Sequence, residues 1–441
     1  MPRLSAYLLP TEREPPADAE ATSHKLMVRA GLIRQMGAGM WTWLPAGWRV
    51  HQRVVQIVRE EMNAIGGQEM LMPVLQPAEV WRKTGRLEIE ELFKLRDRRD
   101  AELVLAMTHE EAVTFHAAQT IRSYRDLPQI LYHFQVKERD EPRPRAGVLR
   151  TREFVMKDAY SFDRDQAGME ASYELHVGAY DRMFERTGLR WYRVQGDVGM
   201  MGGVGAHEYM APCAAGEDEV VLTESGYAAN AEVVRAELGV QELSDGDTFR
   251  GEPIRLQKAI ETANIFKLGT RYSEPLGARY LDEHGQERPI WMASYGIGPA
   301  RVVAAAVEQF ADEHGISWPR ALAPFAVHLV ALGKPGTPER EAADRVYETL
   351  VAGGIDTLYD DRDLGAGEKF AEAELLGCPL RLTVGRRSLE EGEIEVQIRR
   401  GRTQAPGIPL ASDPDAAGST QPGELGQALV RAVDELWRGL P

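Results

Sequence analysis

The sequence predicts a multidomain chain of mixed class, an α+β part followed by a small α/β domain. Three observations carry that prediction. At 441 residues, 43% of them hydrophobic, the chain is long enough for two or three cores. Residues 130–162 read as a β-hairpin with an arginine-rich tip. From Pro324 onward strands and helices alternate, the pattern of a mostly parallel sheet.

Each element follows from local pattern. Over residues 48–65, Val54, Val58, Met62 and Ile65 share one helical face, and Gly66-Gly67 stops the helix. A strand over residues 68–72 ends at Pro73, and an apolar strand over 103–107 leads into Thr108-His109-Glu110-Glu111. The first hairpin strand ends in Lys137-Glu138-Arg139-Asp140-Glu141, and after a Pro/Arg loop the second starts near Val148. Glycines 196, 199, 202, 203 and 205 crowd one loop ahead of Ala206-His207. Residues 227–262 carry acidic, polar connectors without strand alternation and read as a short insertion. A strand at 289–295, the turn Gly296-Ile297-Gly298 and a helix over 299–310 with proline at its start follow. In the last part, strands at 326–332, 356–359 and 380–384 alternate with helices at 339–352 and 369–376. Residues 403–422, rich in Pro, Gly, Ser and Ala, read as a linker to a final amphipathic helix at 424–437.

Composition excludes several function classes. The 52 basic and 68 acidic side chains give a net charge of −16, which argues against a wholly basic nucleic-acid coat and leaves only local patches. Two such patches are the five arginines within 139–152 and the group Arg386, Arg387, Arg399, Arg400 and Arg402. Cys213 and Cys378 lack CxxC spacing, so neither a disulfide framework nor a cysteine zinc site is expected, and no metal ligands are assigned. No apolar run reaches bilayer length and no secretory signal opens the chain, so it reads as cytosolic.

The chemistry-bearing residues fall into three groups. Arg139 and Glu141, two apart on a strand, point to one face, and with Arg150 and Phe154 they offer cations, an acceptor and an aromatic plane. That set suits ATP: arginines for phosphates, a carboxylate for the adenine amino group, a ring for stacking. Gly296, Gly298 and Arg301 combine a glycine turn with a helix start and an arginine in its first turn, favouring an anion. Lacking GK[ST] and a third glycine, this is neither a Walker loop nor a dinucleotide fingerprint. Thr108 and Glu110 can together hold a small ammonium or imino group. His109-Glu110 is not a zinc-protease motif, because position 113 is Val where a second His belongs.

In this order, helix to Pro73, Arg139-x-Glu141 with Arg150 and Phe154, and Gly296-x-Gly298-x-x-Arg301, the motifs resemble those of class II aminoacyl-tRNA synthetases. Finer segments resemble the bacterial prolyl type, among them Thr108-His-Glu-Glu, Arg143-Pro-Arg145, residues 152–162, Tyr227-Ala-Ala-Asn230, Ile265-Phe266, and Asp360-Asp-Arg362 with Lys369-Phe370. The resemblance spans nearly everything up to about residue 402. It implies an antiparallel class II catalytic sheet, a homodimer, and a C-terminal anticodon-binding α/β domain. The implied domains are 1–231 and 261–322 for the catalytic part, 232–260 for a short insertion where the family commonly has an editing domain, 323–402 for anticodon binding, and 403–441 for a linker and helix.

The implied activity is ATP-dependent proline activation and transfer to tRNA(Pro), without editing in cis. The implied cofactors are ATP and Mg2+. Arg139 would hold the α-phosphate and the proline carboxylate, Glu141 the adenine amino group, Arg150 and Arg301 the γ-phosphate, and Phe154 would stack on adenine. Thr108, Glu110 and His207 would take proline, Arg143 and Arg145 the tRNA acceptor end, and Arg362 and Lys369 the anticodon region. Four positions depart from the family's usual text: Glu138 replaces an aromatic, Met107 a proline, Ala206 a serine and Ala293 a glycine. The rival readings are a class II synthetase for another small amino acid, such as threonine or serine, and a synthetase-like binding protein that does not charge tRNA.

Overall fold

The computed structural model describes residues 2–410 and 424–440. The chain divides into two compact units, one of residues 35–41 and 54–309, the other of residues 1–34, 42–53 and 310–441. Helix α1 (Pro45–Ala64) begins on a proline, whose missing N–H is no loss in a first turn, and buries Val54, Val58 and Met62 as their spacing predicts. It ends at Ala64, and two residues on Gly66 takes φ +82°.

The unit of residues 54–309 is built on a ten-stranded sheet. Its main path runs through β1 (Gln68–Glu69), β2 (Gln129–Glu138), β3 (Glu153–Asp163), β4 (Tyr192–Gly196), β5 (Gly205–Pro212), β6 (Asp218–Thr223), β7 (Ala228–Asn230), β8 (Glu252–Gly269) and β9 (Trp291–Ile297), in the spatial order β5-β4-β7-β6-β8-β9-β3-β2-β1. Strand β5 also pairs with β8. All neighbours are antiparallel except β1 with β2 and β4 with β7. Helices α2 (Glu110–Thr120), α3 (Gln166–Thr187) and α4 (Pro299–Phe310) complete this part.

Two local expectations need correction. The second hairpin strand begins at Glu153, not near Val148, because Ala146 and Gly147 both take positive φ and end the tip in a turn. Residues 252–262 are not irregular insertion. They form the first half of the 18-residue strand β8, and only Ala231–Leu238 and the connection to residue 251, including the short strand Thr248–Phe249 that pairs with β8, lie off the main path. Their polar side chains hid a strand whose ladder partners are β5 and β6.

Register decides which residues share a face, since residues paired across strands project the same way. One row runs His133, Asp158, Gly296, Asn264, Glu208, and the adjacent row runs Tyr132, Ala159, Tyr295, Ile265, His207. The second row lies under α1 and α3: Tyr132 bonds Asn63, His176 of α3 stacks on Tyr295 at 3.5 Å, and Tyr173 of α3 bonds His207. The first row belongs to the opposite face. There α2 packs on Tyr160, Phe162, Leu268 and Met292, and the rest of that face opens into a cavity.

In the other unit, β10 (Val327–Ala331), α5 (Pro338–Ala352), β11 (Thr357–Asp360), α6 (Ala366–Leu376) and β12 (Leu380–Val384) form the expected parallel core, ordered β11-β10-β12. Helix α7 (Arg386–Glu391) and the antiparallel strands β13 (Glu393–Ile398) and β14 (Thr403–Pro409) extend it. Residues 403–409 are therefore an edge strand, where composition suggested linker. Residues 411–422 of that linker lie outside the described residues. Helix α8 (Glu424–Arg438) buries Leu429 and Val433 in the unit's core, and Val430 lies so close to Gly353 that a Cβ there would approach within 2.3 Å. No helix among the described residues is long and apolar enough to cross a membrane.

Candidate active site

The cavity measures about 420 Å³ and is lined by Thr108, Glu110, Arg139, Glu141, Arg150, Phe154, Gly296, Gly298 and Arg301. Nine residues singled out from three separate stretches of sequence therefore meet in one place. Strand β3 supplies Phe154 and Asp158, strand β9 supplies Gly296, and Arg301 stands in the first turn of α4. Glu110 is the first residue of α2, where a carboxylate suits the positive helix end. At Gly296 a Cβ would meet protein no closer than 3.5 Å, so the glycine leaves space for a ligand rather than for the fold.

One end of the cavity is built around buried charge. Arg86, 2% exposed, donates from Nη1 to both Glu111 oxygens at 3.1 Å. Lys137 lies 2.6 Å from Asp158. Each pair is neutral within itself, and Glu110 and Arg139 remain as opposite charges without a hydrogen-bonded ion partner. Glu110 Oε2 is buried without a hydrogen bond, 3.6 Å from Arg86, and Arg139 Nε, Thr108 Oγ1 and Asn264 Oδ1 are also buried and partnerless. Burial and the neighbouring Arg301 lower Arg139 to about 10, which still leaves it cationic at neutral pH. A buried polar atom without a partner costs about 1–3 kcal/mol, so this cluster is incomplete without a ligand.

The other end is arranged for an anion. The Arg139 guanidinium stands 5.1 Å above the Phe154 ring. Arg301 donates to the Leu149 and Glu261 carbonyls and reaches the Glu261 carboxylate at 3.2 Å. Glu141 accepts from the Arg143 N–H and from Arg150 Nε, both at 2.9 Å. Asp218 and Glu261 add carboxylates, and burial beside Glu261 pushes Asp218 up to about 6. Arg145 is exposed and pairs with Glu217 at 2.6 Å, and Arg143 is exposed.

Three expectations change. His207 does not line the cavity: it pairs in register with Ile265, faces α3, and bonds the Tyr173 hydroxyl at 2.8 Å. The glycine loop before it does reach the cavity through Met200 and Met201, and Gly203 is required there because a Cβ would sit 2.2 Å from the Lys267 carbonyl. Lys369 is 1% exposed and donates to the Ala331 carbonyl at 2.7 Å, so its ammonium serves the interior of its own unit rather than RNA. Arg362 forks onto Asp360 and also reaches Glu372. The late basic group does not act as one patch either, since Arg386 and Arg387 pair with Glu390 and Glu391, and buried Arg399 closes on Asp312.

Asn264, Asp218, Glu261, Met200 and Met201 were not singled out from sequence. Asn264 had a usable signal, because it stands two residues before Phe266 and alternation places both on one face. The carboxylates had none without knowing which strands adjoin.

The chain is similar to known proteins along most of its length. The family described as tRNA synthetase class II core domain (G, H, P, S and T) matches residues 93–310, and the anticodon binding domain matches residues 326–411. A proline--tRNA ligase of Methylobacterium sp. (strain 4-46) is 44% identical over 420 residues, covering 90% of this chain and 95% of that protein. The proline--tRNA ligase of Thermodesulfovibrio yellowstonii is 36% identical over 546 residues, covering 90% of this chain and 96% of that protein. In fold, the chain matches a prolyl-tRNA synthetase of Cryptosporidium parvum complexed with L-proline and AMP, with TM-score 0.73 and 17% identity over 94% of this chain and 75% of that one. A Giardia lamblia prolyl-tRNA synthetase in complex with prolyl-adenylate gives TM-score 0.72 and 19% identity over 94% and 80%.

Proposed function

We propose a division of labour on one premise: the chain belongs to the proline--tRNA ligase family of class II aminoacyl-tRNA synthetases. It activates proline with ATP and transfers the prolyl group to tRNA(Pro). The observation that carries the site assignment is the pair of open charges, Glu110 and Arg139, left over once Arg86–Glu111 and Lys137–Asp158 have closed. One buried anion and one buried cation match a zwitterion. Glu110 and Thr108 take the imino group, and Arg139 takes the carboxylate and the α-phosphate.

A carboxylate oxygen of proline attacks the α-phosphorus of ATP, pyrophosphate leaves with the electrons of the broken P–O bond, and prolyl-adenylate remains. A ribose hydroxyl of the tRNA 3′ end then attacks the carbonyl carbon, and AMP leaves. Arg139 serves the first step because its fixed guanidinium meets charge that builds on the phosphorus oxygens, in a site shielded from water. Phe154 stacks on adenine, Glu141 takes the adenine amino group, and Arg150 and Arg301 face the γ-phosphate across Gly296 and Gly298. Mg2+ fits the same end, where Asp218 and Glu261 offer hard oxygen ligands and the raised Asp218 marks crowded carboxylates. Bound with ATP, it would neutralise phosphate charge. Pyrophosphate exchange with each of the twenty amino acids, with and without tRNA, tests the reading. Proline should sustain the fastest exchange with alanine a slower second, and exchange led by threonine or serine, or none at all, rejects it.

Arg143 and Arg145 at the hairpin tip meet the acceptor end, and the 323–402 domain meets the anticodon region, where both Arg362 and Lys369 are engaged within their own unit. A cytoplasmic homodimer follows from the same premise. Met36, Leu71 and Leu75 are exposed apolar side chains that a second copy would cover, and sedimentation should report twice the monomer mass.

Editing in cis is absent on this reading. The Thermodesulfovibrio alignment uses 546 positions but only 90% of 441 residues, about 397, so about 149 positions have no counterpart here. Residues 252–260 are committed to the central sheet, leaving a helix and a short connection outside it. A proline pocket also admits alanine, since lost methylenes discriminate by only about 1–3 kcal/mol each. Alanyl-tRNA(Pro) offered to the enzyme alone should lose its ester no faster than in buffer. Faster loss, abolished by changes within residues 232–251, would place an editing site in the short segment.

A further inference from the structure

The grouping of imidazole and carboxylate donors His109, His133 and Asp158 is close enough to hold a metal ion, yet its centre is filled by the protein itself. Lys137 Nζ lies 2.6 Å from His109 Nδ1, 2.6 Å from Asp158 Oδ1 and 3.2 Å from His133 Nε2. All four side chains are buried. We propose that Lys137 is a positioning residue for the amino acid, whose ammonium locks His109 and thereby the Thr108–Glu110 turn in the orientation that receives the imino group. The inference rests on the proline reading of the pocket given above.

The hydrogen-bond directions are fixed by backbone groups at both ends. His109 Nε2 stands 3.1 Å from the Pro73 carbonyl, which only accepts, so Nε2 carries the proton and Nδ1 is left with a lone pair. Lys137 donates to that lone pair. At His133 the Met72 N–H points to Nδ1 at 3.4 Å and only donates, so Nδ1 is the bare nitrogen and Nε2–H faces Asp158 at 2.9 Å. Burial alone would push Asp158 up, but Lys137 and His133 hold it far below the usual carboxylate range, and the Tyr160 hydroxyl donates to its second oxygen. Burial and Lys137 likewise keep His109 neutral, lowering it to about 3.

A locked turn is the consequence. His109 is the residue between Thr108 and Glu110, the two whose oxygens Oγ1 and Oε2 are buried and partnerless toward the cavity. Its ring is held on one side by the segment Met72-Pro73 and on the other by β2 through Lys137. A ring anchored at both nitrogens holds the His109 Cα in place between Thr108 and Glu110, so the ammonium helps fix where the substrate's nitrogen is met. The phosphate-facing Arg301 and Phe154 take no part in this network, and ATP affinity should be nearly indifferent to it. Lys137 stands two residues before Arg139, which follows the end of β2 at Glu138, and that spacing is the one sequence signal for its place.

The test separates the two substrates. In pyrophosphate exchange, K137M and H109L should raise KM for proline tenfold or more while KM for ATP stays within threefold. H109N keeps an acceptor for Lys137 but loses the Pro73 bond, and should fall between wild type and H109L. In wild type, nitrogen-15 NMR should show His109 protonated at Nε2 from pH 5.5 to 8, with its Nδ1 resonance moved by proline and not by ATP. Equal changes in both KM values, no change in either, or a His109 resonance insensitive to proline each overturns the proposal. If K137M does not fold, the two His109 variants and the resonance decide by themselves. If wild type uses an amino acid other than proline, the proline reading fails, and the same split measured with that amino acid still judges Lys137.

Discussion

Lys137 and Lys157 are fully buried on neighbouring strands of the same sheet, one on each face, and their surroundings differ in kind. Lys137 faces the cavity and closes on Asp158. Lys157 faces α3 and donates to the Tyr180 hydroxyl at 2.6 Å and the Tyr295 carbonyl at 3.1 Å, and burial lowers it to about 7. On the α3 face most polar groups are completed inside the protein, as His207 is by Tyr173, with His176 Nε2 and Asp163 Oδ2 as exceptions. On the cavity face Thr108, Glu110, Arg139 and Asn264 keep buried atoms without partners. The difference teaches that charge on the helix side serves the fold, while charge on the cavity side is arranged for a visitor.

The largest effect that sharpens this contrast belongs to the cations that line the cavity. Arg139→Ala or Arg301→Ala should cost about 2.7–4 kcal/mol in proline activation, the scale of a preorganised electrostatic donor, with unfolding midpoints little changed. Wild-type exchange by Arg301→Ala would remove Arg301 from the phosphate site.

A smaller effect is expected from Lys157. Its folded pKa of about 7 lies below the unfolded value near 10.4, so between these limits the unfolded chain holds one more proton. Stability therefore rises with pH across that window, at about 1.4 kcal/mol per unit for one proton, and is flat in this respect below it. Denaturant melts of wild type and Lys157→Met at pH 7.5 and 8.5 should show the wild type gaining on the variant by about 1 kcal/mol. A gain that shrinks or reverses means that Lys157 stays charged and the two faces are alike. The smallest effect is at His207, where replacement by Ala should leave the KM for proline within threefold, and a tenfold rise would make the α3 face part of the pocket.

Much was legible in the sequence by itself. Helical spacing, the proline that starts α4, the glycine turn at 296–298 and the alternation after Pro324 are local properties, and the chain's own dihedrals and side-chain periodicity write them directly. The ordered motifs named the residues that meet in the cavity because each motif carries its chemistry within a few positions. What only tertiary structure decided is which face each residue takes and who neutralises it. His207 fell on the helix face because its partner is Ile265. Residues 252–262 became strand because β5 and β6 flank them, and Lys369 turned inward to the Ala331 carbonyl. Strand register has a period of two, so a one-residue difference in pairing moves a side chain to the opposite face. A buried cation, in turn, depends on partners brought from distant segments, as Lys137 meets Asp158 and His109 across 21 and 28 positions.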